Sequence, residues 1–188
     1  MPWYSIALFL HIVGALGLFA GISLEQAGLR GLRRASTTAA LREWLTVLSA
    51  RGRIEGPAGV VLLATGGYMA ATGWGRQPWI ALALLGLVLI ALLGALATGR
   101  TVRALRSALP NDDLPVRFAL RQRIDSPVLR TSAALRAALA LGIVFNMAVK
   151  PDARGAALAL AAALLLGALA PWIGRRGSLA APEYGTEH

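Results

Sequence analysis

The sequence has no cysteine, which excludes disulfides, thiolate chemistry and any zinc or iron–sulfur site built on cysteine. It has two histidines, His11 and His188, too few for an all-histidine zinc centre within one chain. Charge is scarce: 15% of residues are charged, where a soluble domain carries about 25%. The acidic sign is the scarcer, 9 residues against 19 basic, for a formal net charge of +10. No Walker loop, no dinucleotide fingerprint leading from a strand and no GxSxG elbow is present. The carboxylates and histidines within apolar segments are too few for a di-iron bundle. These absences remove the common soluble-enzyme classes, and nothing in the sequence marks the chain as an enzyme.

What is abundant is apolar sequence. Hydrophobic residues make up 56% of the chain and its mean hydropathy is +0.61. A helix needs about 20 mostly apolar residues to cross a bilayer, and five segments qualify. They are Trp3–Leu24, Pro57–Trp74, Trp79–Thr98, Thr131–Val149 and Ala156–Ile173. The first carries its positive charges after the apolar run and has no small-x-small cleavage site, so it is expected to be a retained helix. The fourth contains Arg136, which is expected to snorkel toward the nearer interface.

Charge between the segments sets the expected orientation. Six arginines lie between Glu25 and Glu55, eight between Arg100 and Arg136, and Arg175 and Arg176 follow the last segment. The alternate connections hold only Arg76, Lys150 and Arg154. Placing the rich side in the cytoplasm gives five spans, N-terminus out and C-terminus in. Trp3, Tyr4, Trp74, Trp79 and Trp172 fall at segment ends, as interfacial aromatics do. The basic loops are too short to form a nucleic-acid-binding fold, and topology accounts for their charge.

The expected architecture is therefore all-α: a polytopic membrane bundle of five helices with short amphipathic cytoplasmic helices. Residues 1–177 form one transmembrane domain and 178–188 a disordered tail. Leu41, Trp44, Leu45 and Leu48 share one helical face within 31–50, which reads as an amphipathic helix on the inner leaflet. Arg100–Leu109 is expected to extend the third span until Pro110 stops it. Val116–Ile124 reads as a second basic amphipathic stretch.

Polar residues in apolar spans need a reason. His11, Gly14, Ala15, Leu18, Ile22 and Glu25 share one face of the first helix, and Gly17 and Gly21 form a GxxxG spacing on its flank. His11 is either hydrogen-bonded to a neighbouring helix, a haem or metal ligand, or a proton-relay or substrate contact. Thr65, Tyr68 and Thr72 in the second span and Asn146, Met147 and Lys150 in the fourth fall at comparable depth. If spans one, two and four pack together, His11, Tyr68, Asn146, Met147 and Lys150 line an outer-half pocket. Otherwise the polar groups bond backbone or water, and Lys150 snorkels. Glu25, Arg51, Arg53, Glu55 and Arg130, with Arg136, form an expected inner-face cluster of ion pairs. A proton path from His11 to Glu25 lacks an intermediate relay over ~21 Å of helix.

The first helix, with Phe9-Leu10-His11-Ile12-Val13-Gly14-Ala15 and Phe19-Ala20-Gly21, resembles the opening helix of CopD-like copper-resistance proteins and HemJ-type protoporphyrinogen oxidases. Thr65-Gly66-Gly67-Tyr68 and Met147-Ala148-Val149-Lys150-Pro151 are more similar to a group of uncharacterised integral membrane proteins sharing that helix. The resemblance implies that His11 is the family's intramembrane histidine, which in the HemJ type is thought to ligate haem, here haem b. Leu18 stands where those families have Trp, and a second intramembrane histidine is missing. Haem would then use Met147, water or a second subunit as its other ligand. The resemblance implies a bacterial inner-membrane location. Three functions follow as expectations: binding or transport of a small ligand through the outer-half pocket, a haem-bearing redox protein, or a structural or accessory subunit. The expected partners are lipid and either further copies or another membrane subunit, not nucleic acid.

Overall fold

A computed structural model describes residues 2–110, 112, 114–116 and 118–178, with side chains up to 172. The described residues are mostly helical and contain no strand, only an isolated bridge between Thr37 and Pro115. The helices are α1 (Pro2–Arg34), α2 (Thr38–Met69), α3 (Pro78–Leu93), α4 (Arg100–Ala108), α5 (Phe118–Ile124), α6 (Pro127–Val149) and α7 (Ala153–Ser178). Two π-helical turns join in, Ala70–Trp74 at the end of α2 and Gly94–Gly99 between α3 and α4. The expected tail lies outside the described residues, apart from Ser178 at the end of α7.

Four of the described helices are long and apolar enough to cross a membrane: Pro2–Arg34, Pro78–Ala108, Phe118–Val149 and Ala153–Trp172. The protein is thus a membrane protein of all-helical architecture. The second expected span, 57–74, does not stand alone. It is the C-terminal half of α2 and the π-turn after it, and the N-terminal half of α2 carries Arg42, Glu43, Arg51, Arg53 and Glu55.

α1 and α2 form an antiparallel hairpin in one register. Gly14 faces Leu62, Gly21 faces Glu55 and Gly28 faces Leu48, a step of seven on one helix answering a step of seven on the other. His11 opposite Thr65 and Glu25 opposite Arg51 fall in the same register. Buried positions at intervals of three and four on both helices give the 3.5-residue seam of a left-handed pair. Glycine on α1 lets the backbones come close: a Cβ at Gly28 would lie 2.6 Å from Leu48 Cγ.

This hairpin corrects the expected amphipathic helix at 31–50. The chain breaks at Ala35–Thr37, where the Thr37 hydroxyl accepts from the Ala40 N–H and caps α2. Leu41, Leu45 and Leu48 then bury against Leu29, Leu32, Leu105, Leu120, Ile124 and Leu129, not against lipid. The apolar stripe read correctly as helical; its partner is a matching stripe that continues down α1. α4 extends α3 and ends before Pro110, as the sequence suggests. Leu114 and Val116, between α4 and α5, dock on the hairpin tip, with the Thr38 N–H donating to Leu114 O and the Val116 N–H to Ser36 O. Arg121 donates to the carbonyls of Arg33 and Ala35, both at 2.7 Å, and so closes the C-terminal end of α1.

A second apolar cluster, with Leu18, Ile22, Leu62, Ala83, Ile90, Leu139, Ala140, Ile143 and Leu160, fills the bundle nearer the N-terminus of α1. α6 packs against α7, α3 and α1. Between the two clusters lies a layer of charge.

Candidate functional site

Glu25 on α1 is fully buried, and its carboxylate accepts from three donors: Arg51 Nη1 at 2.9 Å, Arg136 Nη1 and the Thr98 hydroxyl. Glu55 accepts from Arg136 Nη2 at 2.7 Å and lies 3.7 Å from Arg51 Nη1. Arg136 is 1% exposed, so it does not snorkel. Two carboxylates lie within reach of its guanidinium, and turning inward to them satisfies the charge that snorkelling would otherwise carry to water. The quartet of two glutamates and two arginines is neutral and joins α1, α2 and α6.

The α3–α4 rod supplies the fourth wall through backbone. Ile90 O accepts from Arg136 Nε at 3.0 Å, Gly94 O from Arg51 Nη2 at 3.3 Å and Leu93 O from the Ser132 hydroxyl at 3.3 Å. These carbonyls lie at the entry to the Gly94–Gly99 π-turn, and Ile90 O, which also takes the Gly94 N–H, uses its second lone pair for Arg136. A Cβ on Gly94 would sit 3.0 Å from both Arg136 Cζ and Arg51 Nη1, so glycine is what lets both guanidinium groups reach the rod. Two valences stay open: Glu55 Oε1 and Arg51 Nε are buried without a hydrogen-bond partner.

Of the other residues expected in this cluster, Arg53 is exposed and Arg130 pairs with Asp125 at 3.3 Å. Neither joins the quartet. Thr98 and the Gly94 backbone were not singled out from the sequence, whereas Arg136 was expected beside Glu25 and Glu55. A glycine and a threonine in a nearly pure Leu/Ala run carry no chemical signal until the helix facing them is known.

The outer-half residues have separate partners. His11 Nδ1 lies 2.9 Å from Thr65 Oγ1, and the Thr65 hydroxyl donates to Val61 O at 2.6 Å. With its one proton committed to Val61 O, the Thr65 hydroxyl presents its oxygen to His11 Nδ1 as an acceptor. Gly66 leaves room for the ring, since a Cβ there would lie 3.2 Å from His11 Cε1. Asn146 is fully buried and donates to Ala156 O on α7 at 3.3 Å. Met147 packs on the apolar cluster of the bundle, and Tyr68 is 40% exposed. Lys150 ends α6 in the left-handed conformation with its Nζ 4.1 Å from the Trp74 ring centroid. Trp74 also donates to the Tyr4 hydroxyl at 2.9 Å and meets Trp79 edge-on. Each of the five thus has its own partner or surface, and no bond links His11 to Tyr68, Asn146, Met147 or Lys150 among the described residues.

The chain matches no protein-family model, no curated protein and no solved structure. Among the described residues no group of three or more His, Cys, Asp or Glu could hold a metal ion.

Proposed function

We propose that the protein is a five-span, N-out/C-in protein of a bacterial inner membrane that binds or transports a small polar ligand, with the Glu25–Arg51–Glu55–Arg136 quartet as its binding centre. The observation that carries this reading is the pair of open valences on one face of α2. Glu55 Oε1 wants a donor and Arg51 Nε an acceptor, four residues apart. A solute that both donates and accepts satisfies the two together, and intramembrane charge of this kind is kept where function needs it. The centre differs from the outer-half pocket expected from the sequence, whose residues are each engaged elsewhere.

The span count rests on the hairpin. α2 follows α1 in one register from Leu48 to Thr65, so if α1 crosses the bilayer, 57–74 crosses beside it. Because the chain lacks cysteine, single introduced thiols report topology cleanly. Arg76→Cys is expected to react with an impermeant maleimide added outside, and Ser107→Cys only after the membrane is opened. The reverse pattern, or labelling of both from one side, would sink the topology.

Ligand binding is tested by thermal stabilisation in detergent against a panel of small polar solutes. A solute that stabilises the wild type and loses its effect in Glu55→Gln supports the reading; stabilisation that persists in Glu55→Gln removes the quartet from it.

One observation favours a second reading, haem ligation by His11. A ligating imidazole usually gives its other N–H to a fixed acceptor, and Thr65 fills that role. Thr65 and Gly66 suit one axial ligand. The second would come from outside this arrangement, since Met147 packs among apolar side chains. Haem would supply one-electron chemistry, while the chain would hold the imidazole's orientation. A Soret absorption band in purified protein, lost in His11→Ala, is the expected result on this reading; a colourless wild type rejects it.

A further inference from the structure

A cleft of about 370 Å³ opens where the end of α1 meets the start of α2, lined by Ala27, Arg30, Arg34, Ser36 and Trp44 among others. Arg30 and Arg34 are exposed, lie one turn apart on α1, and have no acidic partner or hydrogen bond among the described residues. Four other arginines of this inner layer are tied down: Arg42 to Pro110 O, Arg106 to Leu45 O, Arg121 to the end of α1 and Arg130 to Asp125. Trp44 forms the opposite wall, its ring lying against Gly31, where any Cβ would overlap it. Two free guanidinium groups and a serine hydroxyl, beside an indole wall, offer donors that a phosphate monoanion accepts.

We propose that this cleft binds the phosphate of an anionic glycerophospholipid of the inner leaflet. Depth is the first argument. From Trp3 to Arg30 the helix rises ~40 Å, which matches the roughly 40–45 Å of a bilayer with its headgroup layers. If Trp3 sits at the outer interface, Arg30 sits among the inner headgroups. The second argument is the surface that leads away from the cleft. Along α1 the exposed positions Ala27, Ser23, Ala20, Leu16 and Ile12 follow each other at steps of three and four toward the N-terminus. They form one stripe, small beside the arginines and large farther out, with Leu16 65% exposed. An acyl chain attached to a phosphate at Arg30 has an apolar track to lie on, which a free phosphate does not need.

The test uses full-length protein in mild detergent and native mass spectrometry, with phosphatidylglycerol, phosphatidylcholine and inorganic phosphate as probes. Wild type is expected to retain phosphatidylglycerol about tenfold better than phosphatidylcholine, given the contribution of each arginine near an anionic headgroup. In Arg30→Gln/Arg34→Gln that preference is expected to fall to near parity. Arg103→Gln/Arg123→Gln removes the same charge from exposed sites on other helices and is expected to keep it. Equal retention of the two lipids by wild type overturns the proposal. So does an equal loss of preference in the control, which assigns the effect to net charge. Displacement of phosphatidylglycerol by millimolar inorganic phosphate also overturns it, because the site then reads phosphate without the lipid.

Discussion

Arg136→Met is expected to lower the unfolding free energy in mixed micelles by about 3–5 kcal/mol, the cost of leaving a buried ion without its partner. The arginine donates to Glu25, Glu55 and Ile90 O, and without it Arg51 alone faces two carboxylates. Neutralising the surplus charge should recover part of the loss, so Arg136→Met/Glu55→Gln is expected to be more stable than Arg136→Met. Glu25→Gln should cost more than Glu55→Gln, because Glu25 takes three donors and is fully buried while Glu55 keeps one oxygen free. Arg53→Met, at an exposed position, is expected to stay within about 0.5 kcal/mol of wild type. If Arg136→Met and Arg53→Met unfold at the same denaturant fraction, the quartet does not hold the bundle.

The second large effect is expected at Gly21. An alanine Cβ there would overlap the Glu55 side chain and lie 2.9 Å from Oε1, so the helices must part or Glu55 must leave the quartet. Gly21→Ala is expected to cost about 1–3 kcal/mol, as overpacked cores do. Gly59→Ala serves as the contrast. Nothing lies within 4 Å of a Cβ at Gly59, and removing a mid-helix glycine is expected to be neutral or stabilising by at most about 1 kcal/mol. Equal unfolding midpoints for the two variants would mean that the α1–α2 register is not the one described. Combining Gly21→Ala with Glu55→Gln adds a check, since contacting residues couple and their effects should not sum.

The two predictions touch the same few side chains, which bears on what can be read from a sequence. His11, Gly14, Leu18 and Glu25 were legible as one face of α1 because helical periodicity fixes which residues share a side. Periodicity does not say what that side meets. The stripe of Leu41, Leu45 and Leu48 shows the consequence. An amphipathic face suits a bilayer surface and a neighbouring helix equally well, and the sequence reading chose the bilayer. The three-residue break at Ala35–Thr37 and the matching stripe on α1 decide for the hairpin.

The outer-half residues make the same point from the other side. His11, Tyr68, Asn146, Met147 and Lys150 were expected at comparable depth because 1.5 Å per residue sets depth for any straight helix, yet Lys150 lies at the level of Trp74 and Tyr4, seven residues along α1 from His11. Rotation about the helix axis then separates them: Asn146 turns to α7, Tyr68 outward and Lys150 over Trp74.

By itself the sequence determined that this is an all-helical membrane protein, roughly where four of its apolar helices begin, and which residues share a helical face. Those follow from local quantities: apolar run length, charge between runs and the 3.6-residue repeat. Tertiary structure alone decided that the C-terminal half of α1 pairs with the N-terminal half of α2, that Arg136 turns into the bundle, and that Thr98 and Gly94 belong with Glu25 and Arg51. Each of these needs two helices far apart in sequence to meet in a particular rotation and register. No single segment encodes that angle, so it appears only once the helices are packed.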